Sequence, residues 1–313
     1  MDLEVEGKVA IVTGAGSGTL LSLLTPTLFP PSHILSPGIN LAFATLLLSK
    51  GCNVVIADLS LQPAATQLLT TYTSTSPDSS SPGTPTPPQS GIDILVPGAG
   101  LFDPLFSNFY NPPGTPLSQD THHLHPPPSL EKPLQGNQSN TTSPNVNPFP
   151  GSFHTLNVNI THPIRLTQMG VEYWTSSHRS GRVICVGSVA GQIGVMETPL
   201  YHASKFAITG FVRSVAGLEE LGIRVTAIAP ALVQTPIWSH QPDKMTMLTS
   251  DQRWIPAEAV AEAMLELLTR AEYVGGTILE DEGPTFEPGY MIGNLEGYKE
   301  EIYKKLREGK MGM

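Results

Sequence analysis

A chain of 313 residues that is 40% hydrophobic can build one large core or two small ones. Its 27 acidic and 17 basic residues leave a formal net charge of -10, which argues against nucleic acid or an anionic membrane as the main partner. Cys52 and Cys185 are the two cysteines, each in an apolar run, and they read as buried free thiols in a reducing, cytoplasmic setting.

The opening MDLEVEGKVA has no signal or transit pattern and enters a strand at once, over residues 8–13. No apolar run reaches about 18 residues, so no membrane span is expected. Residues 19–38 carry no Asp, Glu, Lys or Arg. A helix over 41–49 leads through Gly51 into a strand at 53–57. Residues 62–91 are rich in Thr, Ser and Pro, and 103–151 in Pro, Asn and Ser. Proline fixes φ and removes a backbone donor, so both stretches are expected to be mostly loop or disorder. Between them lies a strand at 92–96. Then follow a helix at 155–177, a strand at 182–186, a helix at 200–220 and a strand at 224–229. A helix at 257–271, a strand at 276–279 and a charged amphipathic helix at 295–310 complete the chain. Alternation at this spacing predicts an α/β, Rossmann-like doubly wound parallel sheet in a single domain. The strands are continuous apolar runs, as expected when both faces of a sheet are covered. The domain is expected over 1–290, with inserts at 19–38, 62–91 and 111–151 and a helical tail at 291–313.

The first strand runs into Gly14-Ala15-Gly16-Ser17-Gly18. Such glycines let a backbone approach a pyrophosphate that sits on the next helix N-terminus. Asp58 ends the second strand, where a carboxylate can accept the hydroxyls of an adenosine ribose. With 19–38 left out, it falls near the expected spacing of about 20 residues. No Lys or Arg occurs from Gly51 to Glu131, so a 2′-phosphate would meet Asp58 and no local cation. This favours NAD over NADP.

Tyr201 and Lys205 stand at i and i+4, on one helical face. An unperturbed tyrosine is a poor base at neutral pH. An adjacent ammonium favours its phenolate, which can then take the proton of a substrate alcohol. Ser188 follows a buried strand at the carboxyl end of the sheet and can hold the substrate oxygen.

Thr-Gly-x-x-x-Gly, the acidic end of the second strand, Ser188 and Tyr201-x-x-x-Lys205 together resemble the short-chain dehydrogenase/reductase family. Within it, LVPGAG, NITHPIRLTQ and the Asp58 ending are most similar to fungal 15-hydroxyprostaglandin-dehydrogenase-like members. The resemblance implies that Asn159 relays protons through a water, with Asn157 the lesser candidate. It implies that Pro230, Val233 and Thr235 lie near the nicotinamide. Gly14, Ser17, Gly18, Gly38, Ile39, Asp58, Gly98, Ala99 and Gly100, with Tyr201 and Lys205, would contact the cofactor. It also implies a homodimer or homotetramer packed through the helices of Asn159 and Tyr201.

Several features depart from the family. Joining Gly18 to Ile39 restores T-G-A-G-S-G-I-N-L-A-F-A, so 19–38 reads as an insert of 60 nucleotides in frame, a retained intron or gene-model error. The family's third strand and its adenine-contacting Asp have no counterpart between Asp58 and Ile92. Pro97-Gly98-Ala99-Gly100 stands for Asn-Asn-Ala-Gly, residues 111–151 are long, and Ala231 replaces a usual Gly. The expected activity is hydride transfer between NAD and a hydrophobic secondary alcohol or ketone. The alternative is a non-catalytic Rossmann-like protein whose cofactor turn is broken by 19–38. No metal is expected, since His122-His123-x-His125 lies in proline-rich sequence. The sequons at Asn137, Asn140 and Asn159 read as coincidences. Ile237, Trp238, Met245, Met247, Leu248 and Trp254 within 236–255 suggest an apolar lid, or a loop that simply packs.

Overall fold

The structure is a computed structural model of the chain. The residues it describes are 4–16, 38–59, 61–74, 91–111, 113, 115–120, 152–239, 241, 244, 254–280 and 283–284. Strand β1 (Val9–Thr13) pairs in parallel with β2 (Asn53–Ala57) on one side and β3 (Ile94–Pro97) on the other. Strands β4 (Gly181–Val186), β5 (Ile223–Ile228) and β6 (Ile278–Glu280) continue in parallel. The short β7 (Gly283–Pro284) closes the sheet antiparallel, giving the order β2-β1-β3-β4-β5-β6-β7.

Helices cover both faces. On one, α1 (Ile39–Ser49) and α6 (Ala257–Thr269) bury Phe43, Leu47, Met264 and Leu268 with Val12, Val96 and Ile228. On the other, α4 (His162–Ser176) and α5 (Pro199–Ser214) bury Trp174, Ile208 and Val212 with Val183 and Val225. Trp174 is fully buried and donates from Nε1 to the Ile92 carbonyl at 2.8 Å. Its ring explains Gly181, where a Cβ would come within 2.1 Å of it. The chain winds one way from β1 to β2 and the other way from β3 onward. A crevice therefore opens at the carboxyl ends of β1 and β3, the switch point where such sheets bind ligands.

Five local expectations are corrected. Within 62–91, residues Pro63–Ser74 form a helix, α2. Pro63 occupies its first position, where φ is preset and no N–H is needed, and Ala64, Ala65, Leu68 and Leu69 follow. Within 103–151, the described residues to 120 make defined turns. Ser107 Oγ accepts from Thr155 N at 2.9 Å, and Asp120 Oδ1 from His154 N at 2.8 Å, holding the single turn α3 (His154–Leu156). The helix expected at 200–220 stops at Ser214 and gives way to a 3-10 turn at Ala216–Leu221. Strand β2 exposes alternate residues because it is the edge of the described sheet. The last strand lies at Ile278–Glu280, and β7 breaks the parallel pattern. The tail at 291–313, residues 19–37 and residues 121–151 lie outside the described residues.

Candidate active site

At the switch point lies a cavity of about 540 Å³. Gly14, Gly38, Ile39, Gly98 and Gly100 line its β1/β3 side, and Ser188, Tyr201 and Lys205 its β4/α5 side. Pro230, Val233 and Thr235 line it beyond β5. Three expected residues among those described do not line it. Ala99 backs Gly14, whose φ is +73° and where a Cβ would lie 2.6 Å from the Ala99 Cα; both features require glycine. Asp58 lies at the end of β2, and its Oδ2 accepts from Gly16 N at 2.9 Å and its Oδ1 from Leu59 N at 2.7 Å. Asn159 is the third. Ser17, Gly18, the histidines at 122, 123 and 125, and Asn137 and Asn140 lie outside the described residues.

Asn159 sits in a π-helical turn, Asn157–Thr161, that leads into α4. Its Oδ1 accepts from Leu101 N, and its Nδ2 donates to Leu101 O, both at 2.8 Å, and to Ser204 Oγ at 3.0 Å. The amide thus clamps the loop after β3 to the helix carrying Tyr201.

Ser188 follows β4 and is buried. It donates weakly to Pro230 O at 3.4 Å, accepts from Ala190 N at 3.1 Å, and hydrogen-bonds the Tyr201 phenol. Burial raises the Tyr201 phenol above its ordinary value, the Ser188 bond opposes this, and the Asp103 carboxyl adds to it. Lys205 donates to the Val186 carbonyl at 2.8 Å, with its Nζ 5.3 Å from the Tyr201 ring centroid. Burial lowers its own pKa to about 8. The expectation that Lys205 pulls the phenol down is therefore not met in this geometry. The ammonium faces a backbone carbonyl, and desolvation dominates both groups.

Sequence reasoning missed Asp103. It is fully buried at φ +39°, and its Oδ2 accepts from Leu200 N at 3.1 Å in the first turn of α5. Burial raises its pKa, against the pull of the Leu200 N–H and of Lys244. Lys244 in turn donates to the Phe102 carbonyl at 2.8 Å and to the Asp103 carbonyl. Phe102, also missed, packs edge-on against Tyr201 at 4.7 Å and Trp238 at 5.0 Å, and Trp238 against Trp254 at 5.7 Å. Of the lid candidates, Ile237 and Trp238 line the cavity. The lid segment is described only in part, and Met245, Met247 and Leu248 lie outside. No periodicity marks Asp103 or Phe102, because their places depend on a loop geometry that only the folded chain defines.

A serine, a tyrosine and a lysine thus converge beside a glycine-lined crevice of a doubly wound sheet. Residues 152–246, which carry all three, match the short chain dehydrogenase family. Over that segment the chain resembles the short-chain dehydrogenases/reductases. It is 38% identical over 88 residues to the 15-hydroxyprostaglandin dehydrogenase (NAD(+)) of Rattus norvegicus, covering 26% of this chain and 33% of the rat protein. It is 31% identical over 134 residues to the 3-oxoacyl-acyl-carrier-protein reductase of Thermotoga maritima, covering 41% of this chain and 54% of that one. The chain therefore spans a third to about half of these relatives. In fold, it superposes with TM-score 0.54 and 20% identity on a putative 2-deoxy-d-gluconate 3-dehydrogenase of Agrobacterium tumefaciens with bound NADP, covering 89% of this chain and 96% of that one.

Proposed function

We propose that the chain is an NAD-dependent oxidoreductase acting on a hydrophobic secondary alcohol or its ketone. The observation that carries this is the convergence of Ser188, Tyr201 and Lys205 on one cavity whose opposite wall is glycine. The residues present fit a nicotinamide dinucleotide. Helix α1 begins at Gly38 with no side-chain cap, so its first-turn N–H groups are available to a pyrophosphate. Asp58 stands where ribose hydroxyls would meet an acceptor, and it opposes a 2′-phosphate. Bound there, NAD supplies the hydride acceptor, and its reduced form the donor.

The protein's part is proton transfer and positioning. Ser188 orients the substrate oxygen. Tyr201, held as the neutral phenol by burial, donates its proton to a carbonyl oxygen as hydride reaches the carbon. In the reverse direction, the phenolate takes the alcohol proton. Lys205, its pKa lowered by burial to about 8, is at neutral pH a cation 5.3 Å from the Tyr201 ring centroid. A proton relay through Asn159 requires its amide to exchange one of its three partners. Phe102, Leu232, Ile237 and Trp238 on the cavity wall favour an apolar substrate. Met169 on α4 and Phe206 on α5 are exposed, which supports pairing of copies through these helices. Residues 1–290 act in this reading as one domain.

The test is to titrate NADH by fluorescence against this chain and against one lacking residues 19–38. A panel of hydrophobic secondary alcohols is then read at the nicotinamide absorbance with NAD and NADP. Binding and turnover by the chain as written support the enzyme. Binding by the shortened chain alone supports the broken-turn alternative, and binding by neither sinks the proposal.

A further inference from the structure

Asn40, the second residue of α1, lines the cavity between the two glycine turns. Its Nδ2 donates to the Gly98 carbonyl at 2.8 Å and reaches the Gly14 carbonyl at 3.5 Å. That fixes the amide's orientation, because the flipped form would set oxygen against two carbonyl oxygens. Its Oδ1 is buried and accepts no hydrogen bond from the described residues. A buried acceptor without a donor works against stability, and Asn is a poor helix former, so packing alone does not explain this side chain.

The space it fills is informative. A Cβ at Gly98 would lie 2.1 Å from Asn40 Oδ1 and 2.4 Å from its Cγ. The amide therefore occupies the volume that a side chain at position 98 would take, and it enters from α1 instead of from β3. We infer that Asn40 is a positioning residue that stands in for the missing side chain at Gly98 and ties the turns after β1 and β3 into one rigid floor for the dinucleotide. The inference rests on the proposed cofactor site. Without the bridge, the two turns are joined chiefly by Thr13, whose Oγ1 accepts from Gly98 N at 3.0 Å and Ala99 N at 3.3 Å.

The test is a cycle of N40A, G98A and N40A/G98A, with N40D beside it. Dinucleotide Kd is read by fluorescence titration and stability by thermal unfolding. N40A and N40D should each weaken dinucleotide binding at least tenfold while the unfolding midpoint moves little. In turnover, they should raise the dinucleotide KM more than they lower kcat. G98A should be harmful in the parent, where its methyl meets the amide, but change binding less than threefold in the N40A background. Parental affinity in N40A and N40D overturns the positioning role, and these two variants bear on it even if G98A fails to fold. A G98A penalty that is the same in both backgrounds overturns the shared-volume argument. If the parent chain binds no dinucleotide at all, the functional reading fails and the positioning role falls with it. If the parent binds and Asn40 variants bind alike, only the role of Asn40 fails.

Discussion

Replacing Lys205 by Met should make the protein more stable at neutral pH while abolishing turnover. Lys205 is 6% exposed, and burial brings its pKa from 10.5 to about 8. Its folded pKa lies below the unfolded one, so the charged form is disfavoured by folding. That penalty is fully present below pH 8 and is relieved as pH rises from about 8 to 10.5. At pH 7 it amounts to about 3 kcal/mol. Met has nearly the same length and no charge to desolvate, but the bond to the Val186 carbonyl is lost, at about 1–2 kcal/mol. The net gain is about 1–2 kcal/mol, a rise in unfolding midpoint of roughly 2–3 °C. Urea unfolding of both proteins from pH 6.5 to 10 measures it. The advantage of K205M should shrink through pH 8–10 and reverse near the top of the range. A variant less stable than the parent at pH 7, or a difference flat with pH, would refute the reasoning.

Tyr201→Phe should retain NADH binding and lose turnover by at least 10³-fold, since the ring packing on Phe102 survives and the proton does not; turnover within tenfold of the parent rejects Tyr201 as the acid. Asp58→Ala should raise the KM for NAD about tenfold and narrow the preference over NADP, measured by initial rates with each cofactor. Gly181→Ala drives a methyl to 2.1–2.3 Å from three ring atoms of Trp174. It should lower stability by about 2–3 kcal/mol, visible as an earlier thermal transition, whereas an unchanged midpoint would mean the indole can shift. Trp238→Ala should raise the KM for bulky apolar alcohols more than for small ones in the substrate panel.

The sequence shows the sheet well because its strands are short apolar runs bounded by glycine or polar residues. Strand 53–57 is read to the residue, and Ser188, Tyr201 and Lys205, singled out by their spacing, line one cavity. The failures share a cause. Pro63 stands at the head of a Thr-, Ser- and Pro-rich stretch, yet proline favours a first helical turn as readily as it breaks an interior one. Sequence proximity sets Lys205 beside Tyr201 but carries no information on burial, which dominates the titration of both groups. Asp103, Phe102 and Asn40 act through contacts 58 to 142 positions away along the chain, which no local pattern encodes.

The short loop after β3 carries a consequence for how such a protein could change its substrates. Leu101 is gripped by α4's entry turn, Asp103 holds the first turn of α5, and the Phe102 and Asp103 carbonyls receive Lys244 from beyond β5. Three remote parts of the chain thus meet within three residues. On the proposed function, the wall that would select the substrate and the helix that would deliver the proton share this joint. Substitutions near Lys244 or Trp238 that widen substrate range should therefore also displace the pH profile, so that selectivity and proton delivery change together.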